Sequence, residues 1–178
     1  MPKSLATWFT PSLQTISRSA GRSAVAAAAY RACVKLIDQT TGLIHDYTRK
    51  RGHVETLLVG ADDISELWNK AEAAETRKNS TVARELMLPL PDQWTDNERR
   101  ACVLDIAQHL RDTYGVAAAG SIHAANRHDR NGHCHLMFTT RVVDDDGNFG
   151  KKTRILDDMK TGEVKRLREA ICKIINDH

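Results

Sequence analysis

Apolar positions along the chain follow two periods that alternate from one segment to the next. Four segments carry either helix-cap residues or apolar side chains three and four positions apart, the spacing of one helix face. These predicted helices cover about 24–38, 63–77, 95–114 and 163–176. The stretches between them are rich in strand-forming residues and stop at prolines and glycines, which is typical of strands. The predicted strands lie at about 6–17, within 45–60, and at 81–91, 116–124 and 133–143.

Cap residues define the helix ends more closely. Ser23 precedes the alanine-rich first helix, and Thr95 with Glu98 has the spacing of a capping box at the start of the third. Gly115 ends the third helix, because glycine adopts the left-handed conformation that closes a helix. The alternation of strands and helices predicts an α/β (α+β) chain, folded as a single domain over residues 1–178.

Composition limits the class of protein. The chain has 178 residues, 41% of them hydrophobic and 28% charged, with a net charge of +3. These values describe an ordinary globular chain, and no apolar run is long enough for membrane insertion. The N-terminus lacks the apolar core of a signal peptide, and the four cysteines have no paired spacing, so we expect a reduced, cytoplasmic setting. The chain stops soon after the last predicted helix, so we expect it to be the N-terminal part of a longer protein.

Four of the eight histidines lie close together, in SIHAANRHDRNGHCHLMFTTRV. Successive residues of a strand point to opposite faces, so His133 and His135 share one face while Cys134 between them faces the core. His123 ends the preceding strand, and neighbouring strands bring three imidazoles to one point. Such a set suits a divalent metal with positions left open for substrate. The alternative for any single surface histidine is an ordinary polar residue.

Two further residues near this cluster differ in their expected roles. Glu85, in VARELML, has the parity to face the same pocket, where it would accept an N–H from a ligand imidazole and set its tautomer. His128 falls in the polar loop RHDRNG, so we expect it to be exposed or to face DNA, without binding the metal. The remaining histidines have no comparable setting: His45, His53, His109 and His178.

Basic residues occur in clumps, although the net charge is small. Three imidazoles without a thiolate indicate a catalytic metal, which acts as a Lewis acid on a carbonyl or a phosphoryl oxygen. The clumps favour phosphoryl oxygen, because contacts to a phosphate backbone require this distribution of charge. For any one clump, a solvated charged face is an adequate alternative. The candidate DNA-binding residues are Arg18, Arg22, Arg31, Arg49, Lys50, Arg51, Arg127, Arg130, Arg141, Lys151, Lys152 and Arg154.

Tyr30 is the candidate nucleophile. It follows AVAAAA on the first predicted helix, and the small side chains of the preceding turn leave room for a bulky backbone to approach. The alternative is a core aromatic ring on an alanine-rich helix. From the residues around Tyr30 alone, the core ring is the favoured interpretation.

Three motifs together resemble a known family. ISRSAGRSAVAAAAYR is similar to the tyrosine motif of MobA/MobL-type relaxases, GHCHLMFTTR with SIHAANRHDRN to their three-histidine "HUH" motif, and RELMLPLP to their acidic strand. The motifs come in family order and span about 16–141. The resemblance implies a central, mostly antiparallel five-stranded sheet with helices packed on it. It also implies that Tyr30 is the nucleophile, that the metal ligands are His123, His133 and His135, and that Glu85 supports a ligand.

The resemblance further implies a site- and strand-specific DNA nickase of plasmid transfer. Such an enzyme binds a hairpin and adjoining single strand at the transfer origin (oriT). The tyrosine attacks a phosphate with Mn²⁺ or Mg²⁺ bound, although zinc or nickel can occupy such a site in a crystal. A 5′-phosphotyrosine and a free 3′-OH result, and the break can be rejoined. Accessory relaxosome proteins and a coupling protein are the implied partners, and the implied location is the bacterial cytoplasm, with transfer into the recipient cell.

Three other functions compete with this one. A rolling-circle replication initiator or a transposase shares the histidine motif, but there the tyrosine usually follows the histidines, whereas Tyr30 precedes them. A metal-dependent hydrolase of small phosphoesters or amides would form no covalent bond to DNA. A non-catalytic DNA-binding module would bind the origin without cleaving it.

Overall fold

Strands form the middle layer of the molecule. The computed structural model describes residues 10–126 and 132–178. The strands in these two ranges are β1 (Ser12–Ser17), β2 (Lys35–Ile37), β3 (Ile44–Asp46), β4 (His53–Val59), β5 (Thr81–Pro89), β6 (Ala118–His123), β7 (His133–Thr139), β8 (Arg141–Val143) and β9 (Phe149–Lys152).

Five of these strands make one antiparallel sheet in the order β1-β5-β7-β6-β4. This arrangement confirms the expected five-stranded, mostly antiparallel sheet. The other four strands form two-stranded ribbons, β2 with β3 and β8 with β9. Because β7 lies at the centre, with β5 and β6 on either side, residues from three strands can meet on one face of the sheet.

Helices cover both faces of the sheet. They are α1 (Ala24–Ala32), α2 (Ile64–Ala73), α3 (Asp96–Tyr114) and α4 (Glu163–Asp177). None of these four helices, which are the α-helices of the described ranges, is long and apolar enough to cross a membrane.

The two faces have separate cores. On one face Leu86, Leu136 and Phe138 pack with apolar side chains of α3 and α4. On the other face Met137 and its neighbours pack with α1 and α2, whose largest buried side chain is Trp68. Cys134 is fully buried in the first core, as its parity predicted. Burial of both faces explains why strand residues of both parities are apolar.

The third helix follows its sequence signals closely. Thr95 accepts a hydrogen bond from the Glu98 backbone, and the Glu98 carboxylate accepts one from the Thr95 backbone, which completes the predicted capping box. Gly115 closes the helix with φ 70°. Both ends of α3 are therefore where the sequence predicted them.

The predicted extent of the first helix is wrong. Helix α1 ends at Ala32 rather than near residue 38, because Cys33 adopts a left-handed conformation with φ 54°. The backbone N–H groups of Cys33 and Val34 both donate to the Ala29 carbonyl and close the helix. Lys35–Ile37 then pairs with β3 as a ribbon. No glycine marks this stop, so the sequence pattern did not show it. Helix α2 likewise ends at Ala73, earlier than the predicted 77.

Candidate active site

Three imidazoles meet at the ends of the two central strands. His123 and His133 are direct cross-strand partners on β6 and β7, and His135 lies opposite Ser121 on the same face. The ring centroids are 5.3 Å apart for His123 and His133, 5.6 Å for His123 and His135, and 5.0 Å for His133 and His135. Strand parity alone predicts this shared face, and pairing of the two strands brings the rings together.

These three side chains fit a divalent metal by donor type and spacing. A metal about 2.1 Å from one nitrogen of each ring would hold the ring centroids about 5 Å apart. The rings do not converge as they stand: in residues 10–126 and 132–178, no group of three or more His, Cys, Asp or Glu is arranged to hold an ion. His123 and His133 are stacked at 8°, so their in-plane lone pairs lie in parallel planes. Coordination therefore requires one of these two rings to turn.

Burial keeps the imidazole of His123 neutral. Its side chain is 6% exposed. Burial lowers its pKa to about 4, although a hydrogen bond to the Arg31 carbonyl acts in the opposite direction. That bond is 2.7 Å long, and because a carbonyl only accepts, Nε2 of His123 donates the proton. The nitrogen of His123 that carries a lone pair is therefore Nδ1.

Glu85 connects the imidazoles to helix α1. Its Oε1 lies 3.5 Å from Nδ1 of His135, and its two oxygens accept hydrogen bonds of 2.8 and 3.1 Å from Arg31. Burial raises the pKa of Glu85, but the nearby ring of His135 and the two hydrogen bonds from Arg31 outweigh it, and the pKa falls to about 2. Glu85 is therefore ionised at neutral pH and faces His135, as its parity predicted.

Tyr30 faces the same cleft from the last turn of α1. The alternative of a core ring is wrong, because the side chain is 41% exposed, while Ala28 and Ala29 make the core contacts of this turn. Nζ of Lys50 lies 3.5 Å from the centre of the Tyr30 ring, and Tyr47 packs edge-on with a centroid distance of 5.1 Å. A cleft of about 490 Å³ is lined by Tyr30, Arg31, Lys50, Arg51, His123, His133 and His135, with Gly52 and residues 124–126.

Three of the predicted DNA-binding residues lie at the other end of the sheet. Arg18 pairs with the buried carboxylate of Glu72 at 2.8 Å. Arg141 and Lys152 pair with Glu75 at 2.8 and 3.1 Å. The structure does not bring these three residues to the cleft, because buried carboxylates hold their charged ends.

The remaining basic candidates are more varied. Arg49 and Arg51 are exposed in the turn between β3 and β4. Arg22 donates to the carbonyl of Thr15. Lys151 and Arg154 are exposed near β9, away from the imidazoles. Arg127, Arg130 and His128 lie outside the described residues.

One residue near the site was missed by the sequence interpretation. His53 on β4 is the cross-strand partner of His123, and the two ring centroids are 5.7 Å apart. Its Nε2 lies 2.8 Å from Oγ1 of Thr56, which in turn lies 3.0 Å from Oγ of Ser121. A bulge between His53 and Glu55 reverses the parity of the strand. Counting back from buried Leu57 therefore assigns His53 to the wrong face, and no sequence pattern marks the bulge.

Comparison with known proteins identifies sequence relatives. The model of the MobA/MobL family matches residues 22–176. Mobilization protein MobL of Acidithiobacillus ferridurans is 39% identical over 181 residues, which cover 86% of this chain and 48% of that protein. Conjugal transfer protein TraA of Agrobacterium fabrum is 32% identical over 164 residues, which cover 82% of this chain and 14% of TraA. The chain thus spans half or less of the length of these two relatives.

Solved structures share the architecture. A structure from work on the molecular basis of vancomycin resistance transfer in Staphylococcus aureus superposes with a TM-score of 0.80 at 25% identity, covering 94% of this chain and 90% of that chain. TrwC complexed with a 27-mer DNA comprising the recognition hairpin and the cleavage site superposes with a TM-score of 0.52 at 9% identity, covering 93% of this chain and 68% of that chain. At that identity the likeness to TrwC shows the fold alone.

Proposed function

The chain belongs to the MobA/MobL family, and from that premise we propose that it is a conjugative DNA relaxase. It would nick single-stranded transfer-origin DNA at one site on one strand. The observation that carries this proposal is one cleft lined by an exposed tyrosine ring and three imidazoles from paired strands. A tyrosine nucleophile and a metal-ligand set in one cleft are the two parts that a strand transfer of this kind requires.

The proposed ligands of the metal are His123, His133 and His135. A bound divalent ion, Mn²⁺ or Mg²⁺, would polarise a non-bridging oxygen of the scissile phosphate and offset the charge that develops there. Glu85 supports this assignment, because its carboxylate lies 3.5 Å from Nδ1 of His135, which leaves Nε2 as the ligand atom. The low pKa of His123 keeps that ring neutral, the form in which an imidazole binds a metal.

Tyr30 would carry out the transfer itself. Its Oη attacks the phosphorus, the bond from phosphorus to the 3′-oxygen breaks, and the 3′-oxygen takes up a proton to become a free 3′-OH. The 5′-phosphate stays bound to Tyr30. The new bond is again a phosphodiester, so the 3′-OH can attack it and rejoin the strand. A free tyrosine has a pKa of about 10, so removal of its proton needs assistance at neutral pH.

The basic turn beside the cleft is the proposed contact to the DNA backbone. Arg49 and Arg51 are exposed, and Lys50 lies on the ring of Tyr30. Cations in this place would hold the strand next to the nucleophile. Arg127 and Arg130 stay predictions from the sequence. The proposed DNA contacts do not include the basic residues that lie away from the cleft, which are Arg18, Arg141, Lys151, Lys152 and Arg154.

The wider setting is also part of the proposal. TrwC is described as a conjugative relaxase in complex with oriT DNA, at 12% identity and a TM-score of 0.52. By analogy, we expect this chain to bind a hairpin with its adjoining single strand. Accessory relaxosome proteins and a coupling protein would be its partners in the bacterial cytoplasm.

Cleavage of an oligonucleotide that carries the transfer origin tests the proposal. The oligonucleotide is labelled at its 3′ end, so that a covalent adduct on the new 5′ end carries the label. We expect the wild-type chain with Mn²⁺ to give a labelled protein band, and Tyr30→Phe to give none while still binding the DNA. Tyr47→Phe is the matched control, because Tyr47 packs on Tyr30 but has no assigned chemistry.

Two outcomes would contradict the assignment. Equal cleavage by Tyr30→Phe and wild type would remove Tyr30 as nucleophile. Cleavage without any adduct would favour a metal-dependent phosphoesterase. EDTA is expected to stop the reaction, and Mn²⁺ or Mg²⁺ to restore it.

A further inference from the structure

Arg31, the residue after Tyr30, makes contacts that a phosphate-binding arginine does not need. It lies in the last turn of α1, and its side chain is 17% exposed. Its guanidinium and its backbone carbonyl point to two different parts of the candidate metal site. Together these contacts join the end of the nucleophile's helix to two of the central strands.

The guanidinium binds Glu85 with two nitrogens. Nε donates to one carboxylate oxygen at 2.8 Å, and Nη2 donates to the other at 3.1 Å. This paired geometry is the one in which arginine holds a carboxylate most firmly. The side chain of Glu85 is 4% exposed, so its charge has little solvent to stabilise it and depends on Arg31. The oxygen that Nη2 holds is also the one that faces His135.

The carbonyl of Arg31 binds His123. The last carbonyls of a helix have no partner within the helix, so they require one from outside. For Arg31 that partner is Nε2 of His123, at 2.7 Å. This bond sets the tautomer of His123 and limits the rotation of its ring. One residue therefore acts on His123 through its backbone and on His135 through Glu85.

We infer that Arg31 is a positioning residue, which aligns the imidazoles with the helix turn that carries Tyr30, and not a contact to the DNA backbone. The inference rests on the proposed function, because it assumes that the imidazoles hold a metal. Two of the guanidinium nitrogens are already bound to Glu85, so a phosphate would have to compete with a buried carboxylate. Loss of the side chain would disturb metal binding even when no DNA is present.

A titration of the DNA-free protein with Mn²⁺, monitored by calorimetry, distinguishes a positioning role of Arg31 from a contact to the DNA backbone. We expect Arg31→Gln to weaken Mn²⁺ binding by about 10- to 100-fold, the usual loss when the partner of a ligand is removed. Arg166→Gln is the matched control, because Arg166 forms an exposed ion pair with Glu163 on α4, on the opposite face of the sheet. Its Mn²⁺ affinity should stay within about twofold of wild type.

A double-mutant cycle tests whether the effect passes through Glu85. Arg31→Gln and Glu85→Gln should each weaken Mn²⁺ binding, and the double variant should be little weaker than either one, because both changes break the same link. Arg31→Lys is the second test variant, to be used if Arg31→Gln lowers the thermal stability too far. It keeps a positive charge beside Glu85 but loses the paired hydrogen bonds, so we expect an intermediate loss of Mn²⁺ affinity.

DNA affinity is measured in parallel, in a Tyr30→Phe background that cannot cleave. We expect Arg31→Gln to leave the affinity within about threefold and the salt dependence unchanged. The inference would be overturned if Arg31→Gln kept its Mn²⁺ affinity within about twofold of wild type and reduced the salt slope, the slope of log DNA affinity against log salt concentration, by about one. Arg31 would then be a phosphate contact. If the wild-type protein bound no Mn²⁺, the proposed metal centre would fail, and the inference with it.

Discussion

The two ends of the central sheet each combine arginines with buried glutamates, but the arrangement differs. At the end that carries His133, which we call the site end, Arg31 binds Glu85, while Arg49 and Arg51 remain exposed. The opposite end is the far end. At the other end, about 20 Å along β7, Arg18 binds Glu72, and Arg141 and Lys152 bind Glu75. These three basic residues are therefore occupied within the protein.

This difference shows why basic clumps in a sequence are an uncertain sign of DNA binding. Each clump is basic in the sequence, but a buried carboxylate next to a basic side chain decides whether its charge faces solvent. Glu72 and Glu75 lie on and just after α2, far in sequence from the arginines that they bind. Only the packing of α2 against the sheet reveals these pairs.

Loss of an imidazole at the site end should have the largest effect. We expect His135→Ala to lower Mn²⁺ affinity by at least about 100-fold and to lower origin cleavage with it, because one proposed ligand and its contact with Glu85 are removed. Calorimetry and the cleavage assay measure the two effects. His109→Ala on α3 is the matched control, and a similar loss there would show that histidine replacement in general, rather than this cluster, is responsible.

Acid should destabilise the metal-free protein through the site end first. The folded pKa of His123 is about 4, below its usual 6.5, so the unfolded chain takes up a proton first as the pH falls. Stability should therefore decrease as the pH falls from 6.5 towards 4, by at most about 3 kcal/mol. At the far end, burial raises the pKa of Glu75, but hydrogen bonds from Arg141 and Lys152 outweigh it and the pKa is lowered. The contribution of Glu75 to stability is therefore lost only when the pH falls below 4.5, the ordinary pKa of a glutamate.

Urea unfolding between pH 7.5 and 4 measures this dependence. His123→Gln should make the free energy of unfolding depend less on pH between pH 6.5 and 4. A smaller slope should remain from His53, whose pKa is also lowered, chiefly by burial. An unchanged curve for His123→Gln would show that the site end is not the acid-sensitive end.

Removal of an arginine at the far end should affect stability and not DNA binding. Arg18→Gln leaves the buried carboxylate of Glu72 without its cation, and we expect a loss of about 2 kcal/mol in the free energy of unfolding. Urea unfolding measures the loss. A clear decrease in origin affinity, with a smaller salt slope, would instead assign Arg18 to the DNA surface and remove the contrast between the two ends.

Removal of an exposed arginine at the site end should affect DNA binding and not stability. We expect this effect to be the smallest of those described. Arg51→Gln is expected to weaken origin binding by about 1 kcal/mol and to lower the salt slope by about one. Its free energy of unfolding should change by less than about 0.5 kcal/mol, because the side chain is exposed. Filter binding over a range of salt concentrations provides the test, and an affinity equal to that of Arg166→Gln would contradict it.

Much of the fold and site follows from the sequence. The capping box at Thr95 set the start of α3, and strand parity placed His133 and His135 on one face with Cys134 in the core. These features depend on residues within a few positions of one another, because a helix cap and the alternation of a strand are local properties of the backbone. The sequence by itself therefore determined the helix starts, the faces of β6 and β7, and the grouping of the three histidines.

Tertiary structure decided the features that depend on distant residues. It exposed Tyr30 and packed the neighbouring alanines, turned His53 towards His123 through a bulge, and tied Arg31 to Glu85. It also directed Arg18 to Glu72 instead of a DNA surface. The physical reason is the cost of burying a charge or an unpaired polar group: each one takes the partner that packing brings within reach, and that partner is far away in the sequence.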